Sequence, residues 1–187
     1  MAKTITIGYS GAEVRPRVQP MKIGQGVPLL AVVRIEQGGG PASDEVRRAI
    51  VREIVDAASW DDVIGVQTDF DARVSEREFY RALLKEVRAK LPKEKVLSMT
   101  ALVSWCASDD WIEGLPVDEA VPMFFRMGVG AAEGRALQGS EFSEPLCRGV
   151  IGRATDEPMN ARAGDRQYWF ATKGWTEAEH RRMEEQR

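Results

Sequence analysis

From Pro28 onward the chain alternates two kinds of apolar pattern, and this alternation restricts the fold more than any other feature of its 187 residues. Pro28 to Glu36, PLLAVVRIE, is a near-continuous apolar run, the pattern of a strand covered on both faces. A GGGP turn follows. In SDEVRRAIVREIVDAAS, residues Val46, Ala49, Ile50, Ile54 and Ala57 then recur at helical spacing behind a capping Ser43. The pair repeats. VIGVQTDFD, Val63 to Asp71, is a second strand, and Ser75 with Glu78 forms a capping box before a helix striped by Phe79, Leu83, Leu84, Val87 and Leu91. Further strands are expected over Val96 to Trp105, Ala120 to Met127, Leu146 to Ala154 and Gln167 to Ala171. Thr176 with Glu179 then caps a terminal helix.

Strand ends near Glu36, Asp69 and Ser104 are spaced by about one βαβ unit. Such units imply a parallel sheet with helices outside it, connected right-handedly. The expected fold is α/β: a partial or incomplete (β/α) TIM-like barrel of about six strand–helix units. A full eight-strand barrel takes about 250 residues. An open doubly wound sheet is the alternative, but no glycine-rich turn follows the first strand. One domain over 1–187 is expected. It comprises an irregular segment over 1–27 with an edge strand at TITIGY (Thr4 to Tyr9), barrel-like units over 28–175 and a helix over 176–187. A sheet lacking its first strands exposes edges, so homo-oligomerisation through them is expected, and a truncated, non-functional fragment is an alternative.

Composition excludes several function classes. A net charge of −3 and a pI near 5.4 lack the basic footprint that nucleic acid demands. No apolar run is long enough to span a bilayer, so no membrane is expected. The N-terminus has no signal-peptide h-region, which favours the cytoplasm, or export where the true start lies upstream. The one histidine, His180, sits in the polar run EAEHRRMEEQR and reads as a solvated helix residue. That count disfavours histidine-based nucleophilic devices and zinc sites. No phosphate loop occurs; GVGAAEG, Gly128 to Gly134, has the wrong final spacing. No metal or cofactor is expected. Cys106 and Cys147 lack CxxC spacing and read as free buried thiols, with a disulfide as the alternative.

Chemistry must then come from carboxylates, arginines and aromatics at the C-terminal ends of the strands, where a parallel barrel gathers its loops. Asp69 and Asp71, two apart on a strand, would project to one face roughly 7 Å apart. Such a pair suits a general acid beside a base, or two oxygen ligands for a divalent cation. With Glu157 they form the candidate catalytic set. Arg34, Glu36, Trp105, Arg126 and Asp156 are the candidate substrate-binding residues. Trp105, Trp111, Trp169 and Trp175 lie near strand ends, where indole faces suit sugar rings. Structural ion pairing of Asp69 and Asp71 with Arg34 and Arg126 is the competing interpretation.

The segments QTDFDA, SMTALVSW, VPMFFRMG and GRATDEP resemble a bacterial domain-of-unknown-function family (number 3142), over about Leu30 to Trp175. The resemblance implies a TIM-barrel-like fold related to glycoside hydrolases, with further strand–helix units upstream. More distantly, VIGVQTDFDAR is similar to the DxxDxDxE strand of chitinase-like glycosidases, with Asp69 and Asp71 matching its last two aspartates. Arg73 stands at its acid glutamate and Val66 at its first aspartate. Arginine stays protonated and cannot protonate a leaving group, so chitinase activity does not carry over. The expected function is binding or hydrolysis of a saccharide through strand-end carboxylates. The alternative is a non-catalytic scaffold or binding module.

Overall fold

A computed structural model describes residues 1–20, 24, 26–128, 131–171 and 174–186. The protein is α/β, with eight mostly parallel strands and five helices among the described residues. The chain divides into two compact units. The first is Met1–Met99 with Gly114–Asp118; the second is Thr100–Glu113 with Glu119–Arg187.

The first unit holds β1 (Lys3–Gly8), β2 (Gly11–Pro16), β3 (Leu29–Gln37), α1 (Asp44–Ala58), β4 (Val63–Phe70), α2 (Arg77–Lys90) and the start of β5 (Val96–Leu102). Strand order is β2-β1-β3-β4-β5; β2 runs antiparallel to β1, and the other neighbours are parallel. The N-terminal segment is thus a hairpin. TITIGY is not the edge strand, because β1 lies between β2 and β3, and β2 takes the edge. Sequence reading missed β2 because its side chains are largely exposed and show no apolar alternation. Gly11 closes the turn at φ 122°, a conformation side-chain-bearing residues avoid.

Register sorts the sheet into two faces. Ile5, Val33, Ile35, Val66, Phe70, Leu97 and Met99 form a buried face. Helix α1 packs on β1, β3 and β4 and against α2, so both crossover helices lie on one side of this sheet. Fully burying each of these side chains is worth about 1.5–3 kcal/mol. Thr4, Thr6, Arg34, Glu36, Gln67, Asp69 and Ser98 alternate onto the other face together with Leu30, Val32 and Val96, so this face is mixed, polar towards the strand ends and buried at Gln67 and Ser98. Ser43 caps α1 through the Val46 amide, as its position predicts. The capping box expected at Ser75 and Glu78 is displaced by two residues, to Arg73 and Glu76. A 3₁₀ turn over Val74–Glu76 precedes α2, and the Glu76 carboxylate accepts the Arg73 amide at 2.7 Å.

The second unit holds α3 (Val103–Ala107), β6 (Glu119–Met123), α4 (Ala131–Ala136), β7 (Val150–Ala154), β8 (Arg166–Phe170) and α5 (Glu177–Glu185). Strand β7 runs parallel to β6 and to β8. Three expected strands shorten here. β5 ends at Leu102, and Ser104 and Trp105 belong to α3; a short apolar run suits either state. β6 stops at Met123, beyond which Arg126 takes φ 53°. Leu146 and Cys147 form a 3₁₀ turn ahead of β7. The two cysteines are joined, Cys106 to Cys147 with Cα atoms 5.9 Å apart, which corrects the free-thiol expectation. Val129 and Gly130 of the GVGAAEG stretch lie outside the described residues, as does Arg187 of the expected terminal helix. No helix among the described residues is long and apolar enough to cross a membrane.

Candidate functional site

In the first unit the candidate residues gather at the C-terminal ends of β3 and β4. Arg34 stands in register with Asp69, so the two occupy adjacent places on the polar face. The Arg34 guanidinium meets Glu36 at 3.1 Å, and Arg15 reaches the same carboxylate at 3.5 Å from the edge strand. All three side chains are more than one-third exposed, so each pair contributes under about 1 kcal/mol and leaves the groups accessible. Asp69 is half-buried and Asp71 exposed.

Asp71 does not continue the strand, contrary to the expectation of two carboxylates on one pleated face. β4 ends at Phe70, and the Ala72 amide turns back to the Phe70 carbonyl at 2.8 Å. Asp71 therefore lies exposed one residue past the strand end, and both aspartates are near enough to act electrostatically on Tyr80. Behind them the buried Tyr80 hydroxyl lies 2.7 Å from the Thr68 hydroxyl. Burial pushes the Tyr80 phenol well above its ordinary value, and the negative charges of both Asp69 and Asp71 add to the rise. A neutral phenol thus backs a doubly acidic strand end. Beside it, the buried Glu76 accepts the Gln37 side-chain amide at 2.6 Å. Sequence reading did not single out Glu76.

In the second unit Arg126 gathers two other candidates. Its guanidinium pairs with Asp156 at 2.7 Å and with Glu157, and its backbone amide reaches Glu157 at 3.4 Å. Arginine fixed in this way stabilises both carboxylates as anions. Trp105 is 4% exposed and stacks on Trp111 at 4.2 Å with the rings 6° from parallel. Its indole is committed to packing and presents no open face, which corrects its assignment to substrate. Trp175, like Trp60, is an exposed indole; it lies beside His180 on α5, which is itself exposed as expected.

One residue outside the expected set stands out. Arg153 on β7 is 2% exposed. It bonds the Gln167 side chain (3.1 Å), the Met159 carbonyl (3.1 Å) and the Gln186 side chain (2.9 Å), and lies 4.2 Å over Trp169. It was hidden inside the apolar run of β7, although GRATDEP contains it. Among the described residues no cluster of three or more acidic, histidine or cysteine side chains could hold a metal ion.

No family model, curated protein or solved structure matches the chain.

Proposed function

We propose that the chain is a saccharide-binding protein of the (β/α) barrel type, seating its ligand on the polar face at the C-terminal ends of β3 and β4. The observation that carries this assignment is the placement of Arg34 beside Asp69 at the strand ends, with Glu36 on the Arg34 guanidinium and Asp71 exposed just past the end of β4. Exposed carboxylates accept sugar hydroxyls in charge-assisted hydrogen bonds, and an arginine supplies the complementary donors. Parallel α/β sheets place ligands at this end of their strands. Sequential β3-β4-β5 order, with both helices on one side, supports barrel-type winding over a doubly wound sheet. The saccharide class comes from the family resemblance alone.

Hydrolysis would require a protonated acid opposite a second carboxylate. With Arg126 held on Glu157, that role falls to Asp69 and Asp71 in a hydrolytic variant of the proposal. Binding without turnover is the form we favour. Association of copies through the exposed strand β2 is proposed alongside it.

A second reading, a non-catalytic scaffold, is favoured by the mutual pairing of Arg126 with Asp156 and Glu157. A glycan array and a chromogenic-glycoside screen on the wild type, Asp69→Asn and Asp71→Asn separate the two. Glycan hits that vanish in the variants at unchanged melting temperature support the binding site. Lowered melting with no glycan bound by any form supports the scaffold.

A further inference from the structure

Within the second unit, Arg153 is a buried cation whose described partners are all neutral. Its Nη1 donates to the Gln167 amide oxygen, and both protons of Nη2 go to the Met159 carbonyl and the Gln186 amide oxygen. Its Nε is buried and has no partner among the described residues. No carboxylate of the described residues pairs with it. An uncompensated buried charge is among the least favourable groups a fold can hold. The side-on edge of this guanidinium, Nε with Nη2, has the spacing of a carboxylate's two oxygens. Here that edge is half filled, because an amide offers one oxygen where a carboxylate offers two.

The group covering it is weakly held. Helix α5 buries no residue, and its described ties to β7 are polar: Gln186 donates to the Thr155 carbonyl at 3.1 Å, and the Thr155 hydroxyl bonds Glu179. Gln186 is itself only half-buried. Trp169 lies under the guanidinium and supplies a flat apolar floor.

We infer that Arg153 seats a small carboxylate ligand, with the Gln186 amide as the neutral group that the ligand displaces. The site belongs to the second unit and does not depend on the saccharide assignment at β3 and β4. Burial lowers the tendency of Arg153 to hold its proton, and a bound anion would reverse that effect. Arginine nonetheless stays charged in proteins, so the charge is present to be met.

The experiment is an NMR titration of the Arg153 Nε–H signal in the full chain with acetate, glucuronate and inorganic phosphate, using sodium chloride as the ionic-strength control. Acetate and glucuronate should shift the signal saturably. Gln186→Ala, which removes the competing oxygen, should bind them about tenfold more tightly. Gln186→Glu, which supplies its own carboxylate, should melt higher and bind neither. Arg153→Met, which lacks that signal and is read by calorimetric titration with the same ligands, should abolish binding; should it fail to fold, the opposed responses of the two Gln186 variants decide. An unshifted signal in both wild type and Gln186→Ala overturns the inference, as does unchanged affinity in Arg153→Met. Tighter binding of phosphate than of either carboxylate overturns the ligand class.

Discussion

Among the described residues each unit buries one cation, and they treat it in opposite ways. Lys3 on β1, 6% exposed, places its ammonium 2.7 Å from Glu53 and 2.6 Å from Asp56 on α1. Burial pulls the Lys3 ammonium down, but hydrogen bonds and charge from Asp56 and Glu53 outweigh it, and the group ends above its ordinary value. Arg153 is buried more deeply and meets only amides, a carbonyl and an indole. The first arrangement ties a strand to a helix. The second leaves a charge unanswered, as a fold does where something else is to bind. The units also close differently. Two helices of 15 and 14 residues cover the first sheet, whereas a disulfide across 41 residues of sequence links α3 to the turn before β7 in the second.

The largest effect should come from that disulfide. A loop of this length gives about 4 kcal/mol in the chain-entropy view. Paired Cys106→Ala and Cys147→Ala should therefore lower stability by that order, with hydrogen exchange rising in β7 first. Equal loss of protection in β3 and β4 would break the contrast between the units. Next, Glu53→Gln with Asp56→Asn leaves Lys3 buried and unpaired. We expect a loss of about 2–3 kcal/mol by denaturant titration, below that of a fully sealed pair because Asp56 is largely exposed. Lys3→Met added to that pair should recover most of the loss.

The same contact has a pH signature. Its hydrogen bond to Lys3 holds Asp56 below its ordinary value of 3.8. Its contribution is complete above 3.8 and disappears as pH falls through the lower folded value. At the other extreme, Lys3 contributes fully below 10.5 and loses its share as pH rises through its higher folded value. Stability curves of wild type and Lys3→Met should converge at both ends; parallel curves would show that the pair does not titrate with folding. The smallest effect belongs to Arg126→Ala. That exposed group should contribute under about 1 kcal/mol, and a larger fall in melting temperature would make it a structural clamp.

How much of this could be read from sequence depended on length and period. β3, α1, β4 and α2 are long and strongly periodic, and all four lie within a residue or two of their expected bounds. The second unit was harder. VSW after β5 is apolar enough for strand or helix, and tertiary packing of Trp105 on Trp111 selected helix. Two cysteines 41 residues apart carry no signal of pairing. Strand β2 escaped because an exposed edge lacks alternation. For the site, sequence spacing brought out Arg34, Glu36, Asp69 and Asp71, and parity failed only at Asp71, one residue past the strand end. Arg153 went unseen because a buried cation inside an apolar run looks like any strand residue until its partners are known.

The ligand-binding role of the β4 strand end is tested most directly by calorimetric titration of the strongest array glycan into wild type and Asp71→Asn, with both melts recorded. We expect at least a tenfold loss of affinity in the variant and an unchanged melting temperature, since Asp71 is exposed and outside the strand. Equal affinity in both proteins would contradict a saccharide held there.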